Sequence, residues 1–60
     1  MPVIIVEMWK GRTIEQKKRL VKGITAAFME IGTPPEAVQI ILKDNEKHDW
    51  AIGDKLVSED

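Results

Sequence analysis

The sequence predicts an α+β fold: one β-α-β unit with two parallel strands, one amphipathic helix and a short C-terminal β segment, completed by oligomerisation and contained in a single domain over residues 1–60. Three observations predict it. A β-branched apolar run opens the chain, an apolar stripe at helical spacing occupies its middle, and a second β-branched run follows a Pro-Pro turn. Two strands separated by a helix pair in parallel through a right-handed crossover.

Val3-Ile4-Ile5-Val6, continued by Glu7, Met8 and Trp9, is the first strand. β-Branched side chains are stiff at χ1 and suit a pleated surface. The run of four does not alternate with polar residues, which is the pattern of a strand buried on both faces. Lys10-Gly11-Arg12 turns the chain. Thr13-Ile14-Glu15-Gln16 fits a capping box, in which the Thr13 hydroxyl accepts from the Gln16 N–H while the Gln16 side chain reaches back. The helix is expected over residues 14–31. Val21, Ile24, Phe28 and Ile31 recur at spacings of three and four, flanked by Leu20 and Ala27, with Glu15, Lys18, Arg19, Lys22 and Glu30 on the wet side. Glu15 precedes Arg19 by four residues, the order that favours a weak pair. Gly32 is the expected stop.

Thr33-Pro34-Pro35-Glu36 reads as a second cap, with Thr33 capping and Pro34 first in a single helical turn. Val38, Ile40, Ile41 and Leu42 form the second strand. Residues 44–49 read as a polar loop. Trp50-Ala51-Ile52 is a short apolar segment closed by Gly53-Asp54, and Ser58-Glu59-Asp60 reads as a frayed end.

Nine Lys+Arg against ten Asp+Glu give a net charge of −1, without the basic excess of a nucleic-acid binder. No apolar run reaches the roughly 18 residues of a membrane span. The N-terminus lacks a charged-then-apolar leader pattern, so a cytoplasmic chain is expected. With no Cys and one His, disulfides and thiolate-bound zinc are excluded. A chain of about 60 residues buries only ~60% of its unfolded surface and usually needs a staple. With one helix to cover one sheet face, and both strand edges unpaired, a symmetric homo-oligomer is the expected staple.

Few residues can carry chemistry. Pro2 follows the initiator Met, and a small second residue usually permits Met removal. The resulting secondary amine would be an α-amino group, ordinarily with a pKa of about 7.7–8.0, able to serve as a base once neutral. Proline is equally ordinary at the head of a strand. Arg12, in the turn before the helix, offers a planar fork for a carboxylate or simply a solvated cation. Trp9 and Trp50 are either core anchors or pocket walls. Asp44, Glu46, His48 and Asp49 crowd one loop; a solvated turn explains them, and their spacing matches no EF-hand for a divalent cation.

Met1-Pro2, the β-branched strand, and Lys10-Gly11-Arg12-Thr13 with Gln16-Lys17 closely resemble the start of the 4-oxalocrotonate tautomerase family. The likeness extends through the helix, the Pro34 turn and second strand to His48-x-Trp50-Ala51-Ile52-Gly53, where the family often carries His-x-aromatic-x-Ile-Gly. The resemblance implies a tautomerase that uses no metal or organic cofactor and interconverts enol and keto forms of a small unsaturated 2-hydroxy or 2-keto acid, 2-hydroxymuconate-like. Pro2 would be its base after Met1 removal, and Arg12 of a neighbouring subunit would bind the substrate carboxylate. Trp50 would wall the pocket. It also implies hexamers built as trimers of dimers. Where well-studied members carry a second arginine at the start of strand 2, Gln39 stands here, uncharged but able to donate one hydrogen bond. Trp9 is bulkier than the aliphatic residue common at its position and would narrow the pocket. Beside this enzyme stands a second reading, an oligomeric small-molecule-binding or scaffold protein with little catalysis.

Overall fold

The computed structural model describes residues 1–59. Strand β1 (Val3–Trp9) leads into helix α1 (Ile14–Glu30), then a 3₁₀ turn at Pro35–Ala37 and strand β2 (Gln39–Asn45). A second 3₁₀ turn, Lys47–Asp49, precedes a hairpin of β3 (Ala51–Ile52) and β4 (Lys55–Leu56). β1 and β2 pair in parallel from Val3 opposite Gln39 to Trp9 opposite Asn45. β3 and β4 pair antiparallel, Ala51 opposite Leu56. The expected α+β unit is therefore present, and the C-terminal β segment is a two-stranded hairpin turned by Gly53-Asp54, with Gly53 at φ +66°.

Both strands were expected to be buried on each face, and in the single chain they are not. Ile4, Val6 and Met8 of β1, with Ile40 and Leu42 of β2, are shielded on the helix side. Val3, Ile5, Trp9 and Ile41 on the opposite face remain 37–54% exposed. One helix covers one face, and among the described residues no other element is long enough to cover the second.

The helix starts as its sequence dictates. Gln16 N donates to Thr13 Oγ1 at 3.1 Å, and Thr13 N donates to Gln16 Oε1 at 2.9 Å, closing the capping box. It ends one residue early: Ile31 is the C-cap and is 77% exposed, outside the apolar stripe, and Ala27 is exposed too. The stripe is instead completed by Thr25 and the stem of Lys17, both half-buried beside Leu20, Val21, Ile24 and Phe28. Gly32 N donates to Met29 O and Thr33 N to Phe28 O, the Schellman closure that requires the positive φ of 96° at Gly32. Glu15 lies 3.8 Å from Lys18 rather than pairing with Arg19.

Two boundaries differ from expectation. Thr33 makes no side-chain cap; Pro34 occupies the cap position and Pro35 opens the turn. β2 runs to Asn45, through the polar Lys43 and Asp44, because each keeps a ladder partner on β1 as far as Trp9. Pairing along β1 thus overrides local polarity. Asp44 ends on the helix side, where its carboxylate accepts from Lys17 Nζ at 2.7 Å and ties β2 to α1. The C-terminus is likewise less frayed than expected: Ser58 is half-buried, and Glu59 Oε2 accepts from Leu56 N at 2.8 Å, while Asp60 lies outside the described residues.

The resulting core is thin. Among the described residues Met8 alone is buried, at 7% exposure. The accessible surface is 4889 Å² for a 6.8 kDa chain, roughly 900 Å² more than a folded monomer of that mass is expected to show. The radius of gyration is 14.5 Å, against about 10 Å for a compact chain of this length. Met8→Ala is expected to cost about 2–4 kcal/mol, and Thr13→Ala about 1 kcal/mol through the lost cap; denaturant titration at one fixed protein concentration measures both.

Candidate active site

The candidate residues divide between the two ends of the β1–β2 ladder. At the starting end, Pro2 is half-buried and its carbonyl accepts from Gln39 N at 3.0 Å, so the ladder extends one step beyond β1. The Gln39 side chain points to the same place: its Nε2 donates to Met1 Sδ at 3.0 Å. A hydrogen-bond donor therefore reaches the residue attached to the Pro2 nitrogen. With Met1 in place that nitrogen is an amide and has no basic lone pair.

At the finishing end, Trp9 and Trp50 meet edge to face, with centroids 5.5 Å apart and planes at 71°. This is a favoured aromatic geometry, worth about 0.5–1.5 kcal/mol. Lys47 Nζ lies 5.2 Å from the Trp9 ring centroid, within cation–π reach. Arg12 Nη1 donates to Trp9 O at 3.0 Å, which fixes the guanidinium at the turn into α1. Among the described residues Arg12 forms no ion pair, so its remaining donors face outward. Two cations and two indoles thus share this end, a combination that accepts a flat anion.

Beside it lies an open cleft of about 420 Å³ lined by Glu7, Asn45, Asp49, Trp50 and Ala51. Its two carboxylates disfavour an anionic ligand, so the concavity and the cationic face of Trp9 are separate features sharing Trp50. Asn45 organises this corner, donating from Nδ2 to Glu7 Oε1 at 2.9 Å and to the carbonyls of Met8 and Lys43 at 3.2 and 3.3 Å. The hairpin that carries Trp50 is pinned by Val57 N donating to Trp50 O at 2.8 Å and by His48 Nδ1 lying 2.9 Å from Ser58 Oγ.

The structure therefore joins Pro2 with Gln39, and Arg12 with Trp9 and Trp50, but it does not join these two sets. Seven residue steps of extended chain separate Pro2 from Trp9, about 23 Å at strand rise. The acidic loop is dispersed: Asp44 is held by Lys17, Glu46 by Lys10 at 3.1 Å, and His48 by Ser58. No group of three or more His, Asp or Glu is arranged to hold a metal ion among the described residues. Sequence reasoning missed Lys47, Asn45 and the His48–Ser58 clasp. Each gains its place from a contact across the ladder or the hairpin, which leaves no periodic mark in the sequence.

Comparison with known proteins identifies the class to which this β-α-β chain belongs. The family described as tautomerase enzyme matches residues 2–60. A probable tautomerase of Bacillus cereus is 40% identical over 60 residues, covering 98% of both chains. The 2-hydroxymuconate tautomerase of Bacillus subtilis is 35% identical over 60 residues, covering 98% of this chain and 97% of that one. Among solved structures, TomN, a 4-oxalocrotonate tautomerase homologue of the tomaymycin biosynthetic pathway, superposes with a TM-score of 0.92 at 36% identity, over 97% of this chain and 91% of that one. YwhB, another such homologue, gives 0.90 at 34% identity over 97% of each chain. The chain belongs to the tautomerase enzyme family, with the 4-oxalocrotonate tautomerase fold. That membership supports isomerase chemistry on a small molecule. Among the described residues no helix is long and apolar enough to cross a membrane.

If the His48–Ser58 contact holds the hairpin, His48→Ala removes about 1 kcal/mol of local stability. The Val57 amide, bonded to Trp50 O, should then exchange with deuterium roughly fivefold faster, while the amides of α1 keep their native rates.

Proposed function

We propose that this chain is a cofactor-independent tautomerase that moves a proton between oxygen and carbon of a small unsaturated 2-hydroxy or 2-keto carboxylic acid. The observation that carries the reading is the meeting of Pro2 and Gln39 at the head of the ladder, in a chain of this family. Removal of Met1 turns the Pro2 nitrogen into a secondary amine and releases the Gln39 amide from Met1 Sδ. Base and donor then face one space. The neutral amine takes the 2-hydroxyl proton of a dienol, electron density shifts along the conjugated chain, and the ammonium returns the proton to carbon. The Gln39 amide donates to the oxygen on which charge develops. The relative named 2-hydroxymuconate tautomerase supports a 2-hydroxymuconate-like acid as the substrate class.

Arg12 supplies the carboxylate contact, with Trp9 and Trp50 as walls that exclude water. The roughly 23 Å along β1 supports a site in which Arg12 and the tryptophans come from a different copy than Pro2. The open sheet face and excess surface support such an assembly, and a homohexamer built as a trimer of dimers is the form proposed here. A cytoplasmic location accompanies this reading.

Arg12→Ala should raise KM with little change in kcat, by about 30–150-fold, since a carboxylate contact worth roughly 2–3 kcal/mol persists from ground state to transition state. Lys restores little, lacking the planar fork. Gln39→Arg should improve kcat on dicarboxylate substrates, because a charge-assisted donor replaces a neutral one. Steady-state kinetics on 2-hydroxymuconate measures both.

The Pro2 role is tested by a pH–rate profile on protein whose N-terminus has been verified by intact mass. Processed protein should gain kcat/KM as pH rises through the pKa of the free amine. In the proposed assembly, Arg12 of another copy and a water-poor pocket disfavour the ammonium, which puts the expected rise below the ordinary range of about 7.7–8.0. Protein that retains Met1 should be inactive. Equal activity of the two forms would remove the amine from the mechanism and leave a binding or scaffold role for the assembly.

A further inference from the structure

Lys47 is a cation without an assigned task at the Trp9–Trp50 end. The 3₁₀ turn Lys47–Asp49 follows β2 closely and sets its ammonium over the end of β1, with Nζ 5.2 Å from the Trp9 ring centroid. The same turn fixes Lys47 relative to the second indole, because Trp50 N donates to Lys47 O at 3.4 Å. Trp9 thus places two cations at once. Its carbonyl accepts from Arg12 Nη1 at 3.0 Å, and its ring underlies Lys47. One cation comes from the turn before α1 and the other from the turn after β2.

Neither cation is neutralised by a carboxylate. The ion pairs among the described residues are Lys10–Glu46, Lys17–Asp44 and Lys18–Glu15. Of the other carboxylates at this end, Glu7 accepts from Asn45 Nδ2 at 2.9 Å and Asp49 lines the cleft beside Trp50. A cation–π contact at an exposed site is weak, so the ring positions the Lys47 ammonium while leaving its charge and its donors available.

We propose that Lys47 is a substrate-binding residue that takes a second carboxylate, beside the one held by Arg12, and so sets the preference of the enzyme between acids with one carboxylate and acids with two. The inference rests on the tautomerase reading above and deepens it with a residue that reading leaves idle. The fork of one arginine fills one carboxylate. A second uncompensated ammonium is surplus to a monoanion and matches a dianion. The head of the ladder supplies no such match, because Gln39 is neutral and its amide serves the oxygen beside Pro2. Lys10 supplies none either, being paired with Glu46 at 3.1 Å. Two like charges held at one end also repel each other, and a ligand with two negative charges relieves both where a monoanion leaves one standing.

Steady-state kinetics on 2-hydroxymuconate and on 2-hydroxypenta-2,4-dienoate, which lacks the second carboxylate, test this with the processed full chain and its variants K47M and K47R. The readout is the ratio of kcat/KM for the dicarboxylate to that for the monocarboxylate, in which the folded fraction and the efficiency of Pro2 cancel. K47M should lower that ratio roughly tenfold or more, through a raised KM for the dicarboxylate, the scale of a lost charge-assisted bond. K47R keeps the charge and should hold the ratio within about threefold of the wild type. An equal fall on both acids would reduce Lys47 to a support for Trp9 and overturn the proposal while leaving the tautomerase reading intact. Unchanged kinetics of K47M would do the same. A wild-type chain inactive on both acids would overturn the proposal and the tautomerase reading together.

Discussion

The parallel ladder between Val3–Trp9 and Gln39–Asn45 is the constraint on which the remaining structure depends. Parallel strands cannot be joined by a tight turn, so the chain must cross from the end of one to the start of the other. Helix α1 makes that crossing and covers one face in doing so. The same ladder sets the position of every candidate functional residue. Pro2 lies beside Gln39 because the register begins there, and Trp9 lies beside Asn45 because it ends there. Arg12 is held at the far end by the carbonyl of Trp9 itself.

A ladder of two strands with one helix is too thin to be self-sufficient. Among the described residues burial reaches below a tenth of full exposure only at Met8, and apolar side chains of β1 and β2 stand in water on the open face. The excess surface of roughly 900 Å² is close to the ~800 Å² that one partner contributes to a standard interface. Both strands are also edge strands, with unpaired backbone donors and acceptors. The geometry that separates Pro2 from Arg12 and the geometry that leaves the sheet uncovered are thus one fact. A chain too short to bury its second face is also too short to fold its two ends onto each other, and the proposed association would answer both needs.

Polar contacts carry more of the fold than the apolar core suggests. Asn45 ties Glu7 and two carbonyls at the end of the ladder, Lys17–Asp44 braces the helix against β2, and Lys10–Glu46 spans the two strand exits. The Lys10–Glu46 pair is well exposed and contributes little on its own. The hairpin depends on the bond from Val57 to Trp50 and on the His48–Ser58 contact, which together hold the indole of Trp50 against Trp9. The Trp9–Trp50 end of the molecule is therefore positioned mainly by directional bonds, which fix geometry better than the sparse apolar contacts available there.

The order of elements and the helix start were legible in the sequence because they are local. β-Branched runs, the Thr13-Gln16 capping box and the Gly32 stop act within a few residues and need no distant partner. Pro2, Arg12, Gln39, Trp9 and Trp50 were also legible as candidates, through their residue types and the family pattern they compose. The tertiary structure decided what depends on pairing. It extended β2 through Lys43, Asp44 and Asn45, because ladder bonds to β1 outweigh the polarity of those side chains. It moved Ile31 out of the apolar stripe, because the Schellman closure ends the helix before that residue can turn inward. It left one sheet face open where the unbroken apolar run of β1 had predicted burial on both sides. An apolar run records that a surface must leave water, but it cannot record whether the same chain or another one covers it.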